Sequence, residues 1–311
     1  MPANLMTTTT EVDPAVNLFY QRTLLQPPQP GYIYTRFADK MSISRKSGNT
    51  MKFRRYSRLS AATTAITEGI TPPTDQLVKT DILAQVSQYG RSIIITDIVD
   101  LTVEDPVITI AVDRQSDQMN NTNDQLVRDY LAQSASSTTC SNGTGTATLL
   151  NKTDIDGVVG TLRSNDAKFM TGVVQASTGQ GTAPIRPSFI AMADQVLEDD
   201  LEDVSGFKSI TNYPAQQPIM EDEWGSTGNV RWLTSTQGYV SSSTYSNIVL
   251  AKEAFCMIDI NGGNASAIIK GFGSGGTSDP LDQRSTVGWK MQQVVRIKQD
   301  LYVHVLKCTN G

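Results

Sequence analysis

Residues Met51 to Asp97 read MKFRRYSRLSAATTAITEGITPPTDQLVKTDILAQVSQYGRSIIITD, and the fold turns on this stretch. It opens on a basic segment, Lys52-Phe53-Arg54-Arg55-Tyr56-Ser57-Arg58. A small-residue tract, Ser60 to Thr64, leads to Ile66-Thr67-Glu68-Gly69 and the proline pair Pro72-Pro73. From Leu77 to Thr96 the pattern is strand-like again, with a turn expected near Tyr89-Gly90. Two such arms joined by a long polar tip make an extended hairpin too thin to bury its own sides. The stretch predicts an arm that lies on a neighbour, as in the subunits of a self-assembling structural protein.

Upstream, Met1 to Asp13 is Thr-rich and reads as a tail ordered only by a partner, because it buries too little to offset its ordering entropy. Asp13-Pro14 then predicts a helix start, with Val16, Phe19, Tyr20 and Leu24 as its apolar face and PPQPG at Pro27 to Gly31 as its stop. Downstream, Asp105-Pro106 repeats that cap-and-proline start. Ile108, Ala111, Val112, Gln115, Met119, Thr122, Leu126 and Tyr130 follow at steps of three and four. The run to about Ser136 implies a rod of about 45 Å at about 1.5 Å per residue.

Ser134 to Thr148 is a Ser/Thr/Gly-rich linker. Beyond it, helices are predicted over Asp154 to Ser164 and Asp194 to Leu201. Strands are predicted over Ser188 to Ala193, Val230 to Leu233, Asn247 to Asp259 and Ala267 to Phe272. After the loop GFGSGGTSDP, Gly288 to Cys308 alternates like a last pair of strands returning to the long helix. There is no internal repeat.

The chain has 311 residues, enough for one large domain or two modest ones. A net charge of -5 argues against a dedicated nucleic-acid binder, which carries a basic face strong enough to tilt the total. Cys140, Cys256 and Cys308 are odd in number and lack CxxC spacing, so a reduced compartment fits better than a disulfide framework. No apolar run approaches the roughly 20 residues that cross a bilayer. MPANLMTTTTEVDP has neither the cationic start nor the apolar core of a signal peptide.

Enzyme chemistry finds little footing. The one histidine, His304, sits in the last alternating strand with no nucleophile elbow, and reads as a satisfied strand histidine. One histidine and scattered cysteines do not make a zinc set. Gly271, Gly273, Gly275 and Gly276 lack the helix a dinucleotide loop requires, and read as a flexible loop. The acids at Glu198 to Asp203 and Glu221 to Glu223 lack calcium-loop spacing and read as a solvated or partner-facing surface. Neither a catalytic residue, a cofactor nor a metal is expected.

Charge distribution says more. Arg36, Lys40, Arg45, Lys46, Lys52, Arg54, Arg55 and Arg58 fall in one span whose single acid is Asp39, while acids gather between Asp194 and Glu223. A basic arm of one subunit over an acidic surface of another would steer association and fix register. The expected intersubunit residues are Lys52, Arg54, Arg55 and Arg58, with Glu68 at the tip making a reciprocal contact. The alternative is that the same cations face DNA through salt-dependent phosphate contacts.

The stretch also resembles a known family. FRRYSRLSAATTAITEGITP from Phe53, QYG at Gln88 to Gly90, ITD at Ile95 to Asp97 and VEDP at Val103 to Pro106 occur in order, as in the major capsid proteins of coliphage N-four type. The match runs from about Lys52 to Leu131. The resemblance implies an α+β chain with the Hong Kong 97-type capsid fold of tailed DNA phages. It implies an N-terminal arm at 1–40, the extended loop (E-loop) hairpin at 41–97 and a peripheral domain at 98–150 with its spine helix at about 105–136. An axial domain at 151–280 and returning peripheral strands at 281–311 complete it.

What the resemblance implies for function is a virion shell of pentamers and hexamers around double-stranded DNA, built in the host cytoplasm and without catalysis. The implied partners are further copies of the chain, scaffolding and portal proteins, a decoration protein and non-specifically contacted DNA, with no membrane. No coiled-coil propeptide pattern stands at the N-terminus, so the scaffold is expected to be a separate protein. Some shells of this fold link an extended-loop lysine to a neighbour's asparagine; Lys46 and Lys52 lie at no clear tip, and no such link is expected. The alternatives are a tail or decoration protein, or a soluble α+β enzyme.

Overall fold

The computed structural model describes residues 27, 29–103, 105–141, 146–172, 186–213, 220–261, 266–276 and 279–311. The tail and helix predicted before Leu24 lie outside these residues, as does part of the linker. The described chain begins with β1 (Asp39–Ile43), β2 (Thr50–Tyr56), β3 (Lys79–Gln85) and β4 (Ser87–Thr96). Two helices follow, α1 (Asp97–Thr102) and α2 (Val107–Ser134), then β5 (Ser136–Thr139) and α3 (Lys152–Ser164). Next come β6 (Phe189–Asp194), α4 (Glu198–Asp203), β7 (Phe207–Ser209), β8 (Glu223–Thr227) and β9 (Val230–Ser235). The chain ends with β10 (Tyr239–Ser241), β11 (Thr244–Leu250), β12 (Phe255–Ile260), β13 (Ser266–Lys270), β14 (Arg284–Ile297) and β15 (Val303–Cys308).

These strands form two packed sheets and a separate ribbon. One sheet runs β5-β15-β11-β6-β9-β8-β7, with β10 on β11. The other runs β1-β12-β14-β13, with β4 also on β14. β2 and β3 pair only with each other.

The larger sheet is covered on both faces, which is why β6 reads as an unbroken apolar run, Phe-Ile-Ala-Met-Ala before Asp194. Phe189, Ala191 and Ala193 pack with Ile155, Val158 and Leu162 of α3. Ile190 and Met192 pack on the other side with Val127 and Leu131 of α2. α3 starts where Asn151 accepts from the Asp154 N–H at 2.9 Å, one orphan donor of the helix end satisfied by a side chain.

α2 joins the two sheets, and its buried face changes along its length. Ala111 packs against Ile95 and Val287 of the smaller sheet, and Gln118 accepts from the Trp289 indole N–H at 2.9 Å. Farther on, the buried residues are Asp124, Val127, Leu131 and Ala132. Asp124 lies nine residues after the buried Gln115, about half a turn away around the axis at roughly 100° per residue. The predicted stripe through Thr122, Leu126 and Tyr130 is therefore corrected in its second half: the two layers lie on different sides of one rod. The predicted aspartate cap is corrected too, because the helix begins after Pro106 with no side-chain cap.

Three strand readings change. No turn occurs at Tyr89-Gly90; β4 is one strand paired with β14, Gly90 opposite Lys290. The glycine is needed for close approach, since a Cβ there would lie 2.7 Å from the Trp289 carbonyl oxygen. Asn247 to Asp259 is two strands, β11 in the larger sheet and β12 in the smaller. The last two strands likewise do not pair together: β14 is the hub of the smaller sheet, and β15 lies between β5 and β11 in the larger.

Candidate functional site: an arm without a core

The ribbon β2–β3 has a straight antiparallel register from Thr50↔Gln85 to Tyr56↔Lys79. Its apolar packing is confined to the base. Met51 and Phe53 pack toward Ala84, Val86, Ile43, Cys256 and Ile258. The Val86 N–H donates to the Asn49 carbonyl at 2.8 Å, closing the base where the chain leaves for β4. From residue 57 to residue 80 every residue is exposed. Leu59, Ile66, Ile70, Leu77 and Val78 are among them, so the tip carries apolar surface with nothing of its own chain over it. At the tip, the Ile70 N–H donates to the Thr67 carbonyl at 3.2 Å, and Gly69 takes φ +82°, the left-handed position such a turn requires.

The predicted contact residues divide in two. Lys52 pairs across the ribbon with Asp81 at 2.6 Å, and Lys79 reaches the same carboxylate at 3.3 Å. The Lys52 hydrogen bond leads the causes that hold the Asp81 carboxyl below its ordinary range. Arg55 donates to the Gln299 side chain. Arg58 pairs with Asp166 at 3.0 Å, both side chains more than three-quarters exposed. Arg54 and Glu68 are exposed and make no ion pair among the described residues. Lys52, Arg55 and Arg58 thus have partners within the chain, where the sequence suggested the acids of another subunit or DNA.

The acidic segment changes in the same way. Arg36 reaches Asp222 at 3.1 Å and donates to the Glu221 carbonyl at 2.7 Å. Glu223, expected on a solvated or partner-facing surface, is buried. It accepts from Arg231 Nε at 2.7 Å, from Arg231 Nη2 at 2.5 Å and from the Tyr213 hydroxyl at 2.9 Å. This two-pronged pair is one that sequence reasoning missed. Its only trace in sequence is the spacing of an acid and an arginine on the two strands of a tight β8–β9 hairpin.

A second missed group is Asp124. Its carboxylate, fully buried, accepts from the Thr35 N–H at 3.0 Å and holds the segment before β1 on α2. Nearby, the Tyr32 hydroxyl donates to Asp117 at 2.6 Å. Burial raises the Asp124 carboxyl above its ordinary value.

His304 is satisfied, with Nε2 2.7 Å from the Thr138 hydroxyl, and burial lowers its basicity. Among the described residues no group of three or more His, Cys, Asp or Glu could hold a metal ion, and no helix is long and apolar enough to cross a membrane. Among the described residues, the arrangement leaves the arm's apolar side chains bare and brings together no metal-binding cluster.

Comparison with solved structures gives this geometry its context. No family model matches the chain, and no curated protein does. Solved phage capsids do. The capsid of Helicobacter pylori bacteriophage KHP30 matches with a TM-score of 0.68 at 12% identity, covering 99% of both chains. The capsid of Ralstonia phage GP4 matches with a TM-score of 0.68 at 12% identity over 98% of both chains. The capsid of the cyanophage P-SCSP1u gives 0.62 at 12% identity, covering 99% of this chain and 100% of that one. At this identity the likeness establishes the fold: the chain has the α+β, Hong Kong 97-type fold of phage capsid proteins.

Proposed function

We propose that this chain is the major capsid protein of a tailed phage, of the coliphage N-four type, and that it builds the icosahedral shell around double-stranded DNA. The observation that carries the reading is the arm: residues 57–80 expose a row of large apolar side chains, on a fold that matches capsid proteins end to end. A two-stranded ribbon with bare sides is stable only when another surface covers it. The copies form pentamers and hexamers in which the ribbon is the projecting part of the extended loop at 41–97. Residues 1–40 are the N-terminal arm, and 98–150 with 281–311 the peripheral domain, with α2 as its spine. Residues 151–280 are the axial domain.

One chain in several shell positions needs adaptable arms on fixed cores, which is the division seen between the ribbon and the two-faced sheet. Scaffolding and portal proteins, a decoration protein and the packaged DNA are the remaining partners, and the product resides in the virion. Arg54 and Glu68, unengaged within the described chain, are the arm residues offered to a neighbour, with Lys52, Arg55 and Arg58 shaping the arm's base and flank.

Electron microscopy of the purified chain, alone and with its scaffold, tests the reading. Shells or capsomers are expected, and monodisperse monomers under every condition would sink it. Arg54→Glu is expected to block shells while leaving the monomer folded. If Arg54 faces DNA instead, empty shells form normally and only salt-dependent DNA retention falls.

A further inference from the structure

Two of the three cysteines are neighbours on one ladder. β15 runs parallel to β5 with Lys307 opposite Thr139, and the Cys140 N–H donates to the Lys307 carbonyl at 2.8 Å. In a parallel ladder that bond sets Cys140 beside the residue after Lys307, which is Cys308. Residues side by side on a ladder point to one face, and both thiols are fully buried in the core that α3 covers. Adjacent strands lie about 4.8 Å apart, within the roughly 4.4–6.8 Å between α-carbons that a disulfide spans. The Asn247 side-chain N–H donates to Cys308 Sγ at 3.2 Å, and the Cys140 thiol is hydrogen-bonded to Asp154. Cys256 stands apart, in β12 of the smaller sheet.

Burial pushes the Cys140 thiol well above its ordinary value, with Cys308 adding to the rise, and pushes Cys308 up to about 12. Neither is a nucleophile while the core is closed. Access comes through β5. It is an edge strand of four residues, three of them exposed, and Cys140 lies just past its end. Fraying of so short an edge uncovers Cys140 without opening the rest of the sheet.

We propose that Cys140 and Cys308 are a latent disulfide, held reduced in the host cytosol and closed when the chain meets a small disulfide oxidant outside it, locking the edge strand to the last strand. With oxidised glutathione as that oxidant, the Cys140 thiolate attacks one of its sulfurs, the glutathione S–S bond breaks and one glutathione leaves. The Cys308 thiolate then attacks the Cys140 sulfur and displaces the second glutathione. The two cysteines lose two electrons and two protons, and the two glutathiones gain them. The closed bond encloses more than half of the chain and stabilises the fold by restricting its unfolded state. Only the timing of closure rests on the proposed virion location; the bond itself does not.

The purified full-length chain, incubated with excess oxidised glutathione and quenched in acid, tests it. Its mass falls by two hydrogens, and a non-reducing tryptic digest holds Cys140 and Cys308 in one linked pair with Cys256 free. The oxidised chain unfolds at a urea concentration higher by about 1 M or more, and reduction reverses the shift. Cys256→Ala behaves in the same way, whereas Cys140→Ala gives neither the mass loss nor the shift. Three thiols retained, glutathione adducts without the link, or a link through Cys256 would overturn the disulfide. A linked chain that unfolds no later than the reduced one would overturn its role as a lock.

Discussion

The larger sheet and the arm are both strands of apolar and polar residues, yet they solve burial in opposite ways. In β6 all six residues are buried, and successive side chains enter two cores, one shared with α3 and one with α2. In the arm, alternation survives only at the base, and beyond Tyr56 every side chain to residue 80 is exposed. The sheet carries its own cover within the chain; the arm's cover has to come from outside. On the proposed function, stability and assembly rest on different residues, and each can be broken without the other.

The largest separation is expected from two paired changes. Trp232→Ala, at a fully buried site on β9, should cost about 3–5 kcal/mol in urea unfolding. Replacing residues 59–77 with a short Gly/Ser turn should change the same unfolding free energy by no more than about 0.5 kcal/mol, and should abolish shells. A monomer unfolded by the arm deletion would erase the contrast.

Glu223→Ala, which strands the buried Arg231, should cost about 3–5 kcal/mol by the same measurement. Adding Arg231→Met should recover part of that loss, because the uncompensated charge is then gone. Gly90→Val should cost about 1–3 kcal/mol, since its Cβ meets the Trp289 carbonyl oxygen of the neighbouring strand.

Asp124 sharpens the comparison through pH. Burial raises its carboxyl, so the fold favours the protonated form. Its contribution is fully present below the unfolded aspartate value and is lost as pH rises through the higher folded value. Asp124→Asn should remove that part of the pH dependence, seen as a flatter plot of unfolding free energy as pH rises above the ordinary aspartate value. The smallest effect is expected at the arm's flank. Arg58→Ala should alter monomer stability by less than about 0.5 kcal/mol, because its pair with Asp166 is open to solvent.

Much of the architecture is written locally in the chain. The arm is visible in period-two alternation on both sides of a Gly-Pro tip. α2 is visible in Pro106 and a long run at helical spacing, ending at Ser134 close to the predicted Ser136. α3 starts at Lys152, two residues before its predicted start, behind an asparagine cap. Each of these signals depends on neighbours a few residues apart, which is why the sequence by itself determined them.

What only the tertiary structure decided depends on residues far apart in the chain. Gly90 looks like a turn until β14 is laid beside it; the constraint is an atom of Trp289. Asn247 to Asp259 looks like one strand because both halves are apolar, and only the two sheets show that each half has a different home. The stripe of α2 turns about the axis because its two ends meet different layers, which no single periodicity describes. Glu223 reads as a solvated acid until Arg231 and Tyr213 close around it. The arm's charged residues were legible as a basic cluster, but their division into engaged and unengaged groups was not. Alternation and capping are set by backbone geometry over a turn or two, whereas burial and pairing are set by which surfaces the whole chain brings together.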